Sequence, residues 1–345
     1  MTMKPSLFSH TSLEWEEILT SQGHPGALPY WLDGLRGKKD LWTKHLSPHL
    51  FSWLQDHYNF ELPEVSRVQV SQDETVKLLI KFTDGKEVEC VLIPFHRRYT
   101  ICLSTQVGCA MNCSFCYTGT QGFKRHLKAE EIVGQYLVGM DWLRKNNKSD
   151  VLPHIVFMGQ GEPLHNADEV HQAIKVLNDR RIVGVGHRQM TLSTVGYLPG
   201  LKKILDFPQI NLALSLHSPF PDERIKLIPA EKNFPLIEVM KSLDEVPLLK
   251  KQFITYEYVL IKDFNMTEKH AEALAVLLQD KKAIVNLIPF NPFPGSQWKR
   301  PAAEDCESFK QSLVRRKLRV MIRKTKGDDI LAACGQLKIQ QTVTV

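Results

Sequence analysis

The stretch Cys109-Ala-Met-Asn-Cys113-Ser-Phe-Cys116 places three cysteines at spacings of four and three residues. Thiolates are soft ligands that suit iron–sulfur clusters, and three of them can hold three corners of a [4Fe–4S] cube. The fourth iron is then open to a small molecule, which lets a cluster act as a catalyst rather than an electron carrier. The chain has seven cysteines, and their spacing does not suggest a disulfide framework. The pattern therefore indicates metal binding or catalysis in a reducing compartment.

The Cys-x3-Cys-x2-Cys spacing, with the aromatic Phe115 before the last cysteine, resembles the signature of the radical S-adenosylmethionine (SAM) enzymes. The resemblance implies that SAM chelates the open iron through its amino and carboxylate groups. An electron from the cluster then cleaves SAM to methionine and a 5′-deoxyadenosyl radical. A structural zinc site, with Cys102 as fourth ligand, is the alternative. Zinc sites usually pair Cys-x2-Cys with a distant second pair, which this sequence lacks.

Strands and helices alternate in the sequence from about residue 99 onward, which predicts a parallel sheet with helical crossovers. The predicted strands cover residues 99–104, 154–158, 189–193, 210–216, 253–261, 283–289 and 319–323. The predicted helices cover residues 129–144, 167–178, 201–205, 236–243, 268–278 and 303–316. The first six strands, each followed by a helix or by the cysteine motif and a helix, predict an α/β fold, a partial (β/α)6 barrel of the radical SAM type.

Polar residues follow the predicted strands at the edge where such barrels carry their chemistry. Glu162 is a candidate partner for the ammonium group of SAM, and the glycines beside it allow close approach of the backbone. The other candidate cofactor-binding residues are Gly161, Ser193, Ser215, Leu216, His217 and Asn291. Taken singly, such a serine is usually a turn residue and such a histidine is usually structural. Their shared position favours the functional interpretation.

Residues 1–95 differ from the rest and predict a small N-terminal accessory domain with helices and a β-hairpin, followed by a catalytic core over 96–345. A capping-box pattern, Thr11-x-x-Glu14, opens a predicted helix over 11–21, and a second helix is predicted over 27–35. Residues 68–93 alternate apolar and polar side chains about a turn at 83–85, which predicts the hairpin.

The net charge of +6, from 44 basic and 38 acidic residues, is too small to require a nucleic-acid partner by itself. Basic side chains are nevertheless concentrated over 310–326 and over 36–44, where they form either phosphate contacts or solvated helix faces. No run of eighteen apolar residues occurs, and the first thirty residues lack an apolar signal-peptide core. We therefore expect a cytoplasmic protein without a membrane partner.

A closer resemblance extends over nearly the whole predicted core. Motifs similar to those of the RlmN family occur at residues 102–109, 121–125, 161–164, 215–217, 286–295 and 327–337. The resemblance implies methylation of adenine C2 in 23S rRNA and in certain tRNAs. The related Cfr branch, which methylates C8 of the same ribosomal adenine, is the alternative within this class. Residues 291–295 and 326–329 resemble RlmN more than Cfr. A noncatalytic RNA-binding protein with a metal site is the alternative from another class.

The RlmN resemblance assigns roles to residues that are otherwise inconspicuous. It implies that Cys334 carries a methyl group from a first SAM, that Cys102 resolves a covalent enzyme–RNA intermediate by forming a disulfide, and that Glu89 accepts a proton. It implies two SAM per turnover, an electron donor such as flavodoxin, and an RNA-binding helix-hairpin-helix-like module at the N-terminus. We expect a monomer. Cys90 and Cys306 match no family role and are interpreted as structural.

Overall fold

A ten-stranded sheet organises the computed structural model, which describes residues 4–96, 98–148 and 151–339. The strands are β1 Glu64–Val70, β2 Val76–Lys81, β3 Glu87–Phe95, β4 Arg98–Cys102, β5 Gln106–Gly108, β6 Phe123–His126, β7 His154–Phe157, β8 Met190–Thr194, β9 Asn211–Ser215, β10 Ile254–Leu260, β11 Ala283–Pro289 and β12 Val320–Ile322. The order in the main sheet is β1-β2-β3-β4-β7-β8-β9-β10-β11-β12, and β5 pairs with β6 in a separate two-stranded sheet.

Helices form the connections between the parallel strands and most of the N-terminal region. They are α1 Ser12–Ser21, α2 Leu28–Leu35, α3 Asp40–His45, α4 Pro48–His57, α5 Ala129–Lys145, α6 Ala167–Asn178, α7 Leu198–Leu201, α8 Pro221–Leu227, α9 Leu236–Asp244, α10 Glu268–Leu278 and α11 Ala303–Arg315. Within the described residues, no helix is both long and apolar enough to cross a membrane.

The predicted α/β fold is confirmed, because β4 and β7 through β12 run parallel in sequence order with helices between them. The bounds of α6, α10 and β11 agree with the prediction. The bounds of the helix predicted over 201–205 are wrong. Helix α7 begins at Leu198, three residues before the predicted start, and Pro199 suits its first turn. A 3-10 turn follows at Ile204–Asp206.

The predicted hairpin is incomplete, because residues 64–95 form three antiparallel strands that continue the main sheet beyond β4. The additional strand β1 is mostly exposed, so it lacks the apolar alternation that reveals a half-buried strand. The predicted turn is confirmed between β2 and β3, where Gly85 adopts a positive φ of 77°. The N-terminal region also has two helices beyond those predicted, α3 and α4.

Candidate active site

An open cavity lies at the carboxyl ends of the parallel strands. Ligands bind at this end of the strands in (β/α) barrels. The predicted residues that line the cavity are Cys109, Cys113, Cys116, Gly161, Glu162, Ser193, Ser215, His217, Asn291 and Cys334. The structure thus brings together residues that are spread over more than 220 positions of sequence. Glu89, Cys102 and Leu216 do not line it.

The three cysteines of the 109–116 motif lie on the loop that follows β5. The Ser114 N–H donates to the Leu227 carbonyl, and Trp298 Nε1 donates to Ser114 Oγ at 3.0 Å, which anchors the loop to the barrel. Burial, reinforced by neighbouring charges, raises the pKa of the Cys109 thiol to about 12. Thiols with such a pKa ionise only when a cation compensates the charge.

The donor set fits a [4Fe–4S] cluster. Three cysteine thiols around one cavity supply one ligand for each of three irons. Among the described residues, no three His, Cys, Asp or Glu side chains are grouped as for a single metal ion, and a cube does not require its ligands to meet at one atom. Cys102, the fourth ligand in the zinc alternative, does not line the cavity.

Glu162 lies on the loop after β7 and forms part of the cavity wall. The preceding Gly161 has a φ of 104°, and a Cβ atom at this position would lie 2.6 Å from Gln106 Cβ, so the close packing requires glycine. The carboxylate oxygens of Glu162 accept the Leu164 N–H at 3.0 Å and the Val195 N–H at 2.9 Å. Burial raises the pKa of Glu162 to about 7. The side chain therefore caps the 3-10 turn Pro163–Asn166 and lines the cavity, and its predicted contact with the ammonium group of SAM stays a prediction.

Glu257 is the main residue of the cavity wall that the sequence analysis missed. It lies on β10, is 4% exposed, and accepts the Ser193 hydroxyl through Oε2 at 2.7 Å. Its other oxygen, Oε1, is buried and has no hydrogen-bond partner among the described residues. A buried carboxylate oxygen without a donor is costly unless a ligand supplies one. This oxygen therefore suits the ammonium group of a ligand such as SAM.

The ends of β8 and β9 are joined by a buried arginine that the sequence analysis also missed. Arg224 forms an ion pair with Glu231 and donates to the carbonyls of Val195, Ser215 and Leu216. Leu216 is fully buried, and both its backbone groups bind protein atoms. These contacts fix the strand ends, and the assignment of Leu216 to cofactor binding stays a prediction.

His217 has a left-handed backbone, with φ of 59°, which turns the chain out of the sheet. Its Nδ1 accepts the Val259 N–H at 3.0 Å, so the remaining proton of the neutral ring lies on Nε2. Burial and the Arg224 guanidinium lower the pKa of His217 to about 3. The ring stays neutral at physiological pH and offers one N–H as a donor to a ligand.

Cys334 lies on the segment from Gly327 to Ile339, called here the Cys334 segment, which closes one side of the cavity. Asn291 Nδ2 donates to the Cys334 carbonyl at 3.0 Å, while Asn291 Oδ1 accepts from Arg300 and Thr325. The Asn291 amide therefore holds the Cys334 segment in place, although the residue was predicted to bind SAM. Its role toward SAM stays a prediction.

Cys102 ends β4 and packs with Val91, Ala332 and Leu337, so it contacts the Cys334 segment from the sheet side. Both thiols are free in this structure. Burial and the nearby Cys334 raise the pKa of Cys102 to about 12, and burial raises that of Cys334 to about 11. The Arg323 guanidinium opposes both shifts and favours the thiolates. The structure thus brings Cys102 and Cys334 together, beside a cation that sequence reasoning did not select.

Glu89 lies on β3, outside the cavity, and forms a buried ion pair with Lys77 at 3.0 Å. Its backbone N–H donates to Gln160 Oε1 at 3.1 Å. Burial raises the pKa of Glu89, against the opposing effect of Lys77.

The basic residues over 310–326 are mostly engaged within the protein. Arg315 and Arg316 pair with Glu268, Lys310 pairs with Glu307, and Arg319 lies over the ring of Phe253. This distribution supports a solvated helix face rather than a phosphate-binding surface on α11.

Comparisons with known proteins agree with this geometry. The family model of the radical SAM superfamily matches residues 103–274. A probable dual-specificity RNA methyltransferase RlmN from Akkermansia muciniphila is 40% identical over 308 residues, covering 86% of this chain and 84% of the relative. A dual-specificity RNA methyltransferase RlmN from Rhodopseudomonas palustris is 37% identical and covers 97% and 89%. The crystal structure of a radical SAM methyltransferase from Sphaerobacter thermophilus superposes with a TM-score of 0.87 at 34% identity, over 97% of this chain and 99% of that chain.

The barrel, the three-cysteine loop and the matching superfamily model define a radical SAM enzyme. Within that superfamily, the identity and coverage of the curated relatives show that the chain belongs to the RlmN family. Membership implies a [4Fe–4S] cluster and SAM as cofactors.

Proposed function

We propose that this SAM-dependent RNA methyltransferase methylates C2 of a specific adenine in 23S rRNA and in certain tRNAs, with Cys334 as the methyl carrier. The observation that carries the proposal is the placement of Cys334. It lines the same cavity as Cys109, Cys113 and Cys116, and its segment packs against Cys102 from the other side. The dual specificity is taken from the names of the relatives.

Cys109, Cys113 and Cys116 would hold the cluster, and the cavity beside them would hold SAM. When bound, the cluster and SAM supply the methyl group and the radical chemistry that an unactivated C–H bond requires, at a cost of two SAM per methyl. Glu257 Oε1 offers an acceptor for the ligand's ammonium group, and His217 Nε2 offers a donor. The donor of electrons is a reduced protein such as flavodoxin.

Cys334 and Cys102 have different roles in the covalent steps. Cys334 takes up the methyl group as a thiolate, and the nearby Arg323 favours that form. After the carbon is joined to the base, Glu89 accepts the C2 proton. The Cys102 thiolate then attacks Cys334 Sγ, so an S–S bond forms and the S–C bond breaks. The electron pair of the broken bond stays on carbon, which gains a proton to become the methyl group. The two thiols have lost two electrons, which a thiol reductant restores.

The N-terminal helices α1–α4 would bind RNA as an accessory domain over residues 1–95. Gly37 has a φ of 104°, with open space where a side chain would lie, at the turn that carries Lys38 and Lys39. A glycine turn with exposed lysines can approach a phosphate closely. We place the enzyme in the cytoplasm, acting as a monomer.

The test is the identity of the methylated nucleoside. Protein reconstituted anaerobically is incubated with SAM, reductant and a 23S rRNA fragment, and the digest is compared with 2-methyladenosine and 8-methyladenosine standards by mass spectrometry. We expect 2-methyladenosine, and none with the Cys334→Ala variant. 8-Methyladenosine would assign the Cfr chemistry instead. A colourless protein with stoichiometric zinc and no methylated product would support the noncatalytic alternative.

A further inference from the structure

One row of side chains crosses three strands on a single face of the sheet. Lys77 of β2 pairs in register with Val91 of β3, and Val91 pairs with Cys102 of β4. Residues directly opposite in a sheet share a face, and Glu89 shares it too, because it lies two residues from Val91. Val91 and Cys102 pack against Ala332 and Leu337. The face that carries Glu89 and Lys77 is therefore the face that the Cys334 segment covers.

Lys77 contacts both Glu89 and the Cys334 segment. Its Nζ lies 3.0 Å from Glu89 Oε1 and donates to the Leu331 carbonyl at 3.3 Å. The side chain of Lys77 is 9% exposed, and that of Glu89 is 6% exposed, so water screens this pair poorly. Leu331 is left-handed, with φ of 52°, a conformation that an L side chain adopts only when its surroundings hold it.

We propose that Lys77 is a positioning residue that keeps the Glu89 carboxylate ionised and fastens the Cys334 segment at Leu331. The inference rests on the proposed function, in which Glu89 accepts the C2 proton. Lys77 belongs to none of the motifs identified in the sequence and does not line the cavity. Lys77 would act through Glu89 and through Leu331, without touching the base.

The charge of Lys77 matters because Glu89 is buried. Burial raises the pKa of Glu89, and the adjacent ammonium is the largest effect that opposes the rise. Glu89 Oε2 makes no hydrogen bond among the described residues, although the Lys338 backbone also favours the carboxylate form. Without Lys77, this carboxylate would lose its counter-ion, and its pKa would rise further. A protonated Glu89 cannot accept another proton.

The small pocket at Glu89 is also lined by Arg67 and Gln69 of β1, Leu79 of β2 and Ile339 of the Cys334 segment. Among the described residues that line it, Arg67 also carries a charge, and it is exposed, so its field is screened more strongly than that of Lys77. The titration of Glu89 should therefore depend chiefly on Lys77.

The test compares four variants of the reconstituted holoenzyme. Lys77→Met removes the charge and the donor, Lys77→Gln removes the charge but keeps an N–H donor, and Lys77→Arg keeps the charge. Lys81→Met is the matched control, since Lys81 lies on the same strand but is 45% exposed. Three readouts are measured for each. They are the methyl group on Cys334 after incubation with SAM alone, kcat/KM for RNA methylation as a function of pH, and hydrogen exchange over residues 327–336.

We expect Lys77→Met and Lys77→Gln to lower kcat/KM on the acidic limb, where activity falls about tenfold for each pH unit below the pKa of the base. The acidic limb of the profile should move to higher pH, so activity recovers in alkaline buffer. Lys77→Arg and Lys81→Met should keep the original limb. Hydrogen exchange over residues 327–336 should be faster in Lys77→Met, because the Leu331 carbonyl loses its donor.

An equal loss at every pH in both neutral variants, with the limb unmoved, would overturn the inference and leave Lys77 a structural residue. The Glu89→Gln variant separates this failure from that of the proposed function. If Glu89→Gln methylates RNA normally, the role of Glu89 fails. If it is inactive while the neutral Lys77 variants keep their profile, only the role of Lys77 fails. If Lys77→Met does not fold, Lys77→Gln gives the same comparison, because it keeps a polar side chain at this site.

Discussion

The mouth of the barrel and the Cys334 segment reach the same cavity by different routes. At the mouth, the residues of the cavity wall lie within β7, β8, β9 and β10 or directly after them, so each is positioned by its own strand. The Cys334 segment instead depends on the turn over residues 71–75, called here the docking turn. Ser71 Oγ donates to Asp329 Oδ1 at 2.6 Å, and the Gly327 N–H donates to Asp73 Oδ2 at 3.1 Å.

The difference teaches that the two halves of the chemistry have different main supports, which meet at the cavity. The cluster cysteines lie on the loop between β5 and β6, and the parallel strands that form most of the cavity wall are fixed by the hydrophobic core. The two halves are joined where Asn291 donates to the Cys334 carbonyl and the Tyr117 N–H donates to the Gly335 carbonyl. The thiol pair lies where the C-terminal segment meets an antiparallel extension of the sheet, through contacts that span more than 250 residues of sequence. Variants chosen away from these joining contacts should therefore affect one region more strongly than the other.

The largest loss of RNA methylation should come from removing a thiol, either a cluster cysteine or Cys334. Cys113→Ala should remove both the iron and RNA methylation, because the cluster loses a ligand. Cys334→Ala should lower RNA methylation at least about a thousandfold while iron content and SAM binding stay normal. Iron analysis, equilibrium dialysis with SAM and product mass spectrometry make the comparison. Cys306→Ala, in the core of α11, is the control and should stay active. Normal turnover by Cys334→Ala would disprove its role as carrier.

Glu257→Gln should affect mainly the barrel side. The change removes the charge of a residue that lines the cavity and whose Oε1 has no partner among the described residues, and a hydrogen bond to a charged group contributes about 2 kcal/mol, or about thirtyfold in Kd. We expect SAM to bind about thirtyfold more weakly in dialysis, with the iron content unchanged. Glu238→Gln, on the exposed face of α9, is the matched control. An unchanged Kd for SAM would mean that Glu257 serves only to hold Ser193.

Asp329→Ala should affect the other side, and by less. Asp329 accepts hydrogen bonds from Ser71 Oγ and the Gln72 N–H, so its loss frees the Cys334 segment from the docking turn. RNA methylation should fall severalfold, and hydrogen exchange over 327–336 should rise, while SAM affinity stays normal. The Ser71 hydrogen bond lowers the pKa of Asp329, so this contact is present at neutral pH and is lost as the pH falls through the folded-state pKa.

Glu307→Ala, which removes an exposed ion pair with Lys310 on α11, is the control for Asp329→Ala. If both variants behave alike, the docking turn has no special role in placing Cys334.

The same division explains what could be predicted from sequence. The alternation of strands and helices located the cavity wall, because parallel strands end at one edge and the residues that follow them meet there. Glu257 escaped notice because it lies inside the apolar strand Ile254–Leu260, where nothing local marks its free oxygen. The docking turn escaped because its partners are distant in sequence. In the sequence, Lys77 looks like an ordinary strand residue. Only the folded structure shows that it contacts Glu89 and the Leu331 carbonyl.

The smallest effect should come from the N-terminal helices, where the predicted capping box is present. Thr11 Oγ1 accepts the Glu14 N–H at 3.3 Å, and Glu14 Oε2 accepts the Thr11 N–H at 2.6 Å. Thr11→Ala should lower the free energy of unfolding by about 1 kcal/mol, measured by denaturant titration beside Thr20→Ala, an exposed control at the other end of α1. Methylation of Cys334 by SAM alone should be unchanged, since α1 contacts neither region of the site. Slower methylation of Cys334 in Thr11→Ala alone would mean that the N-terminal helices are coupled to the Cys334 segment.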